Sequence, residues 1–186
     1  DELRELEERL RRSVEEIKRD LKRIHDENRE AVERSERKSK KILEELKREV
    51  EDVKRELREK LKDDKEKVER VTRLLETVIK ELRELVERNR EELEESDREV
   101  DKLIKEVEKV LEDAERDLED LVRRSRDEKL VREIERRVRK MEEDVRELVK
   151  TIEKRSRDVI KKSEDILKRI KERVEELEKR VRDAVR

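Results

Sequence analysis

Glycine, proline, cysteine and the aromatic amino acids are all absent from this chain. Without cysteine the chain has no disulfides and no thiol chemistry, and its redox compartment stays undetermined. Without glycine it has no phosphate-cradling loop of the kind that nucleotide-binding proteins use. Because neither glycine nor proline marks a turn, any turns have to be located from other signals.

Long apolar runs and an excess of one charge are missing as well. The longest apolar run is two residues, as at Leu74–Leu75, far short of the ~20 that span a bilayer. The opening DELRELEERL lacks the basic start and apolar stretch of a signal peptide. The 58 basic and 60 acidic side chains give a net charge of -2, too balanced to attract nucleic acid or an anionic membrane. We therefore expect neither nucleic acid nor a membrane as a partner. We expect a soluble protein that has no natural compartment and is cytoplasmic if expressed in bacteria.

What the chain does contain is charge arranged around a regular apolar stripe. Asp, Glu, Lys and Arg make up 63% of its 186 residues and apolar residues 30%, a balance that by itself suggests disorder. The apolar residues, however, recur every three or four positions, as in an amphipathic helix. The first such stripe opens with Leu3, Leu6, Leu10, Val14, Ile17, Leu21 and Ile24 and resumes at Ile42, and the third runs on through Leu167. Composition and periodicity together indicate long helices or a coiled coil.

The stripe repeats at a spacing of 18 residues, so that Val68 recurs as Val86 and Ile104. Eighteen residues over five turns give 3.6 residues per turn, the period of a straight α-helix. A heptad repeat would instead impose a left-handed supercoil. The repeat therefore predicts nearly straight helices with little supercoil.

Two positions interrupt the stripe and predict turns. Near one third and two thirds of the chain, the apolar slot holds only charge, at Asp64–Lys65 and at Asp127–Glu128. Each interruption also carries the form of a helix-starting capping box, Asp63-x-x-Glu66 and Ser125-x-x-Glu128. Acidic residues cluster where three helices would begin and basic residues where they would end, which suits the helix macrodipole.

These signals predict an all-α fold, an antiparallel monomeric three-helix bundle forming one domain over residues 1–186. Its helices are expected near residues 2–62, 65–124 and 128–185. The alternative is one unbroken helix that acts as a coiled-coil rod through homo-oligomerisation, since the apolar phase does not clearly break at either junction.

The bundle also predicts which residues lie level with one another. Residues of the first and second helices match when their numbers sum to 128, and those of the second and third when they sum to 256. Leu21 then lies level with Val107, and Val107 with Val149. Aliphatic residues meet aliphatic residues along all three segments, which supports the folding back.

A polar band occupies the middle of each stripe: Asn28, Ser35, Ser39, Asn89, Ser96, Ser156 and Ser163. The same register places Asn28 level with Ser156, Ser35 with Ser163, and Ser39 with Asn89. Since a buried polar group without a partner is costly, we expect interhelical hydrogen bonds that penalise wrong registers. The alternative is a ligand pocket, because serine leaves volume unfilled and its hydroxyl can orient a guest.

No group of residues suggests catalysis. His25 is the only histidine, and Lys22 stands where a di-iron Glu-x-x-His motif needs glutamate. We expect His25 to be partly solvated or bonded to another helix near Thr151, and Met141 to be a core residue. We therefore predict no catalytic, cofactor-binding or metal-binding residues. We expect neither an enzyme nor a cofactor.

Over its whole length the chain resembles computationally designed helical bundles built on parametric backbones, rather than any natural family. The resemblance rests on the 18-residue repeat, the three equal segments, the missing aromatics, and stretches such as RSRDVIKKSEDILKRI. It departs from them in the loops, where such designs commonly place glycine or proline. The resemblance implies a structural function, as a scaffold or a test of stability and geometry, with no substrate and unusually high stability.

Overall fold

A computed structural model describes residues 2–124 and 128–185, which form three α-helices that pack against one another. The helices are α1 (Glu2–Lys60), α2 (Lys65–Arg124) and α3 (Glu128–Val185), and the described residues contain no strand. The predicted all-α three-helix bundle is confirmed. The helix bounds agree with the expected ones, except that α1 ends at Lys60 rather than at residue 62.

The first turn lies between α1 and α2, so a single helix does not run through this part of the chain. Its backbone is held by a bond from the Leu61 amide to the Leu57 carbonyl (3.0 Å) and one from the Asp64 amide to the Leu61 carbonyl (3.2 Å). No described residue has a positive φ. The turn therefore needs no glycine, which is why the sequence can do without one here.

The residue that caps α2 is Asp64, and the predicted role of Asp63 was wrong. Asp64 Oδ1 accepts a hydrogen bond from the Lys67 amide at 3.2 Å. Because α2 begins at Lys65, the residue just outside it is Asp64, whose side chain reaches the otherwise unpaired amide of the third helical residue. The second predicted turn, with its signals at Ser125 and Asp127, lies outside the described residues.

The chain divides into two compact units, each containing part of all three helices. Unit 1 comprises Asp1–Arg29 and Ser96–Val159, and unit 2 comprises Glu30–Glu95 and Ile160–Arg186. The single domain expected from the sequence stays a prediction. Every contact discussed below lies within one unit.

In both units the buried core consists of aliphatic side chains on the predicted stripe. Unit 1 buries residues such as Leu10, Val14, Leu21, Ile24, Ile104, Leu111, Ile134, Val145 and Ile152. Unit 2 buries residues such as Leu46, Val50, Leu75, Leu82, Ile170 and Leu177, and also Val32, which was not assigned to the stripe. The burial of these residues provides the main driving force for helix packing.

The predicted stripe is shifted by one residue at two aliphatic pairs. Leu43 is buried and its neighbour Ile42 is half-buried, whereas the sequence analysis assigned the slot to Ile42. Likewise Ile166 is buried and Leu167 is half-buried. Leu43 lies four residues after Ser39 and three before Leu46, and Ile166 lies three after Ser163 and four before Ile170, all of which are buried. These steps keep Leu43 and Ile166 on the core-facing side of their helices.

Candidate functional site

The polar band of unit 1 contains the hydrogen bond that the sequence predicts between α1 and α3. Ser156 Oγ donates to Asn28 Oδ1 at 2.5 Å, and both side chains are buried. Asn28 Nδ2 has no partner among the described residues. The predicted level pairing of Asn28 with Ser156 is therefore confirmed.

In the same unit, α2 places a carboxylate in the core that the sequence analysis missed. Asp97 is only 3% exposed, and its Oδ2 accepts a hydrogen bond from Arg29 Nη1 at 3.4 Å. Burial raises the pKa of Asp97, the nearby Asp101 adds to this, and the bond from Arg29 opposes it. Asp97 stands four residues after Leu93 and three before Val100, so it is in phase with the stripe, although Ser96 was assigned to that slot.

As expected, His25 is partly solvated and bonded to a neighbouring helix, but that helix is α2 and not α3 near Thr151. Its Nδ1 lies 2.5 Å from Asp101 Oδ1, and this hydrogen bond is the main reason that the pKa of His25 is raised above 6.5. Thr151 Oγ1 instead donates to the carbonyl of Glu147 at 3.1 Å, within its own helix. His25 faces α2 because it follows Ile24 on the edge of the core-facing stripe.

The histidine and its carboxylate resemble part of a proton relay, but no hydroxyl or thiol lines the hollow beside them. A hollow of about 520 Å³ lies beside them. Its remaining lining residues are Lys18, Leu21, Lys22, Ile104, Lys105, Glu108 and Glu112. None of these carries a hydroxyl or thiol that a base could activate. Within the described part of the chain, no three His, Asp or Glu side chains are placed to hold a metal ion.

A second buried carboxylate in unit 1 was also missed. Glu142 is 7% exposed and accepts hydrogen bonds from Ser13 Oγ (3.1 Å) and Arg9 Nη2 (3.5 Å) on α1. The preceding residue, Met141, was predicted to fill the core slot and is only half-buried. These two donors, one of which also carries the opposite charge, compensate for the burial of Glu142, which is the general condition for a carboxylate in a core.

The polar band of unit 2 does not form the predicted pairs. Ser163 Oγ donates to the Ile160 carbonyl at 2.6 Å and not to Ser35. Among the described residues no hydrogen bond joins Ser39 to Asn89, contrary to the prediction, and Asn89 Nδ2 is buried without a partner. A serine hydroxyl can bond to a carbonyl one turn earlier in its own helix, so it does not depend on a level partner.

A cleft of about 540 Å³ takes the place of those bonds in unit 2. The polar side chains Ser35, Ser39 and Asn89 line it from α1 and α2. Its apolar wall is formed by Leu43, Val86, Leu93 and Ile166. The sequence left a network and a pocket as alternatives, and unit 1 contains the bond whereas unit 2 contains the cavity.

Comparison with models of protein families, with curated proteins and with solved structures finds no match for this chain. No natural family is therefore identified. Across residues 2–124 and 128–185, none of the helices combines the length and the apolar character that crossing a membrane requires.

Proposed function

We propose that this protein is a computationally designed structural scaffold, a monomeric and hyperstable three-helix bundle that carries out no reaction. The observation that carries the proposal is the bond between Ser156 and Asn28, at a separation of 128 residues. One numerical register, applied to the whole sequence, pairs the aliphatic layers and also pairs these two polar residues. A sequence whose local and global patterns agree at this level specifies one structure strongly.

The uniformity of the helices also favours a design. They contain 59, 60 and 58 residues, and their surfaces consist almost entirely of residues that favour helix or carry charge. Ion pairs between residues three or four apart recur along the exposed faces, as between Arg139 and Glu135 at 2.9 Å. Such pairs support isolated helices by a few tenths of a kcal/mol each.

The surface favours a monomer without nucleic-acid or membrane partners. Among the described residues, Val110 and Leu148 are the large hydrophobic side chains that are exposed, at 47% and 44%. Two exposed side chains of this size are too few for the contiguous apolar patch that usually marks an interface. A net charge of -2 gives the protein no electrostatic attraction for an anionic partner.

Thermal unfolding followed by circular dichroism tests the proposed stability. We expect the helical signal to persist to at least about 80 °C at neutral pH, well above ordinary mesophilic domains. Complete unfolding below that temperature would count against the proposal. Leu111→Ala and Leu148→Ala provide matched variants, since Leu111 is fully buried and Leu148 is exposed. In guanidinium unfolding, Leu111→Ala should lower the free energy of unfolding by about 2–5 kcal/mol. Leu148→Ala should change it by no more than about 0.5 kcal/mol.

A further inference from the structure

Two side-chain bonds join α1 to α2 in unit 1, one helical turn apart, and together they form a two-rung ladder. One rung joins His25 Nδ1 to Asp101 Oδ1 at 2.5 Å, and the other joins Arg29 Nη1 to Asp97 Oδ2 at 3.4 Å. We propose that the ladder is a proton switch, in which the folded unit takes up a proton at Asp97 in mild acid and this proton is coupled to the one on His25. The switch does not rest on the proposed scaffold function, because it depends only on these four side chains.

Asp97 is a buried carboxylate whose two oxygens are unequally compensated. Its side chain is 4% exposed, the bond from Arg29 is long at 3.4 Å, and Oδ1 is enclosed without a hydrogen-bond partner among the described residues. Another buried carboxylate of unit 1, Glu142, instead receives Ser13 Oγ at one oxygen and Arg9 Nη2 at the other. A carboxyl group that is buried with incomplete compensation avoids most of the cost by becoming neutral. A proton needs no cavity, so the enclosure of Oδ1 does not prevent this.

The two rungs act on each other because their carboxylates are neighbours on α2. Asp101 lies four residues after Asp97, one turn along the same helix. Burial raises the pKa of Asp97 and the charge of Asp101 raises it further, whereas Arg29 and His25 lower it. The pKa of His25 is raised chiefly by its bond to Asp101, and the charge of Asp97 adds to this. A proton on one group therefore weakens proton binding at the other, and the coupling free energy is the same in both directions.

The remaining charged groups around the ladder lie towards solvent or beside His25. From α3, Ser156, which bonds to Asn28 next to Arg29, and Val159 are both buried and carry no charge. On α1, Asp26 adds to the raised pKa of His25. The charged α3 residues next to the two buried ones are exposed: Arg155, Arg157 and Asp158. The hollow beside His25 and Asp101 is also lined by charged residues, all exposed except the half-buried Glu108: Lys18, Lys22, Lys105, Glu108 and Glu112.

Protons stabilise the folded unit through both rungs. A group whose pKa is raised on folding contributes stability that is fully present below its unfolded pKa and is lost as the pH rises through its folded pKa. For Asp97 this loss begins above 3.8, and for His25 it begins above 6.5. A carboxylate that is paired in the folded state usually acts in the opposite direction. The ladder is therefore expected to make unit 1 more stable in mild acid than at neutral pH.

The test is a pH titration of the folded protein by nuclear magnetic resonance. His25 is the only histidine, so its ring signal is unambiguous, and through-bond assignment identifies the side-chain carboxyl carbon of Asp97 in carbon-13-labelled protein. We expect the Asp97 carbon to titrate with a midpoint above 3.8. Asp101→Asn should lower this midpoint and His25→Leu should raise it. Asp97→Asn should lower the midpoint of His25, whereas Asp113→Asn, an exposed change on the same helix, should move neither.

Guanidinium unfolding between pH 3.8 and 6.5 connects the proton to stability. Asparagine stays neutral at every pH, so the guanidinium midpoint of the parent should fall relative to that of Asp97→Asn as the pH rises. The proposal is overturned if Asp97 titrates at or below 3.8, which would mean that the carboxylate stays charged in the core. It is also overturned if Asp97→Asn leaves the His25 midpoint in place, or if the two unfolding midpoints keep a constant separation. The titration of the parent remains decisive even if a variant fails to fold.

Discussion

Ser156 Oγ donates a hydrogen bond to Asn28 Oδ1 across the α1–α3 contact of unit 1, between residues that are 128 positions apart. The bond joins two buried side chains on helices that run in the same direction. A register slip of one residue in either helix would rotate one of the two groups away from the other. This pair therefore ties the stability of unit 1 to one alignment of α1 with α3.

A double-mutant cycle tests that role. Ser156→Ala leaves Asn28 Oδ1 without its donor, and Asn28→Leu leaves the Ser156 hydroxyl without its acceptor, so each single change exposes a desolvation cost that the double change removes. We expect a coupling energy of about 0.5–3 kcal/mol from guanidinium unfolding. Thr151→Ala is the matched control, because its hydroxyl bonds within its own helix, and it should be additive with Asn28→Leu. Additivity of the Asn28 and Ser156 changes would contradict the bond.

Changes at Ser39 and Asn89, the level pair in unit 2, should have the opposite effect on stability. Because Asn89 Nδ2 has no partner among the described residues, Asn89→Leu removes an uncompensated donor and adds apolar volume to a cleft. We expect it to raise the free energy of unfolding by about 1 kcal/mol, and to be additive with Ser39→Ala. The comparison is with Asn28→Leu, which should be destabilising. A loss of stability in Asn89→Leu, or a clear coupling to Ser39, would show that the two residues do bond.

The stability of unit 1 should depend on pH through His25. Its folded pKa is raised above 6.5, chiefly by the hydrogen bond to Asp101, with Asp26 and Asp97 adding to the effect. A raised histidine pKa contributes stability that is fully present below the unfolded value and is lost as the pH rises through the folded value. We therefore expect the free energy of unfolding to fall as the pH rises above 6.5.

Guanidinium unfolding at a series of pH values measures this dependence. His25→Leu should remove the decline above pH 6.5, because the chain has a single histidine. Asp101→Asn should reduce it by removing the charge that favours the imidazolium. Asp113→Asn, an exposed change on the same helix, should leave it intact. A decline that persists unchanged in His25→Leu would assign the titration to another group.

The sequence was sufficient to predict the helices and one polar pair. It was not sufficient to predict which of two neighbouring residues occupies a core position. The charge interruption at Asp64–Lys65 located the first turn without glycine, and the register placed Asn28 beside Ser156. The sequence pattern did not predict that Asp97 and Glu142 are buried. Each is adjacent to a residue that also fits the stripe, and a small rotation of the helix decides which one is buried.

The unit 2 band was mispredicted for a related reason. Level positions in a register fix the height of two residues but not the separation of their side chains. Ser163 found an acceptor one turn earlier on its own helix at 2.6 Å. Asn89 Nδ2 is buried without a partner among the described residues, and Ser39 and Asn89 both line a cleft. Neither outcome is encoded in the spacing of the residues.

The molar mass in solution tests the central claim, a self-contained three-helix bundle, most directly. Light scattering on the size-exclusion peak should give the mass of one chain, 23.0 kDa, and the value should not change over a hundredfold range of protein concentration. One chain then supplies all three helices of the bundle, as α1, α2 and α3 pack against one another. A mass of two or more chains that persists at the lowest concentration would contradict the account and favour a rod formed by homo-oligomerisation.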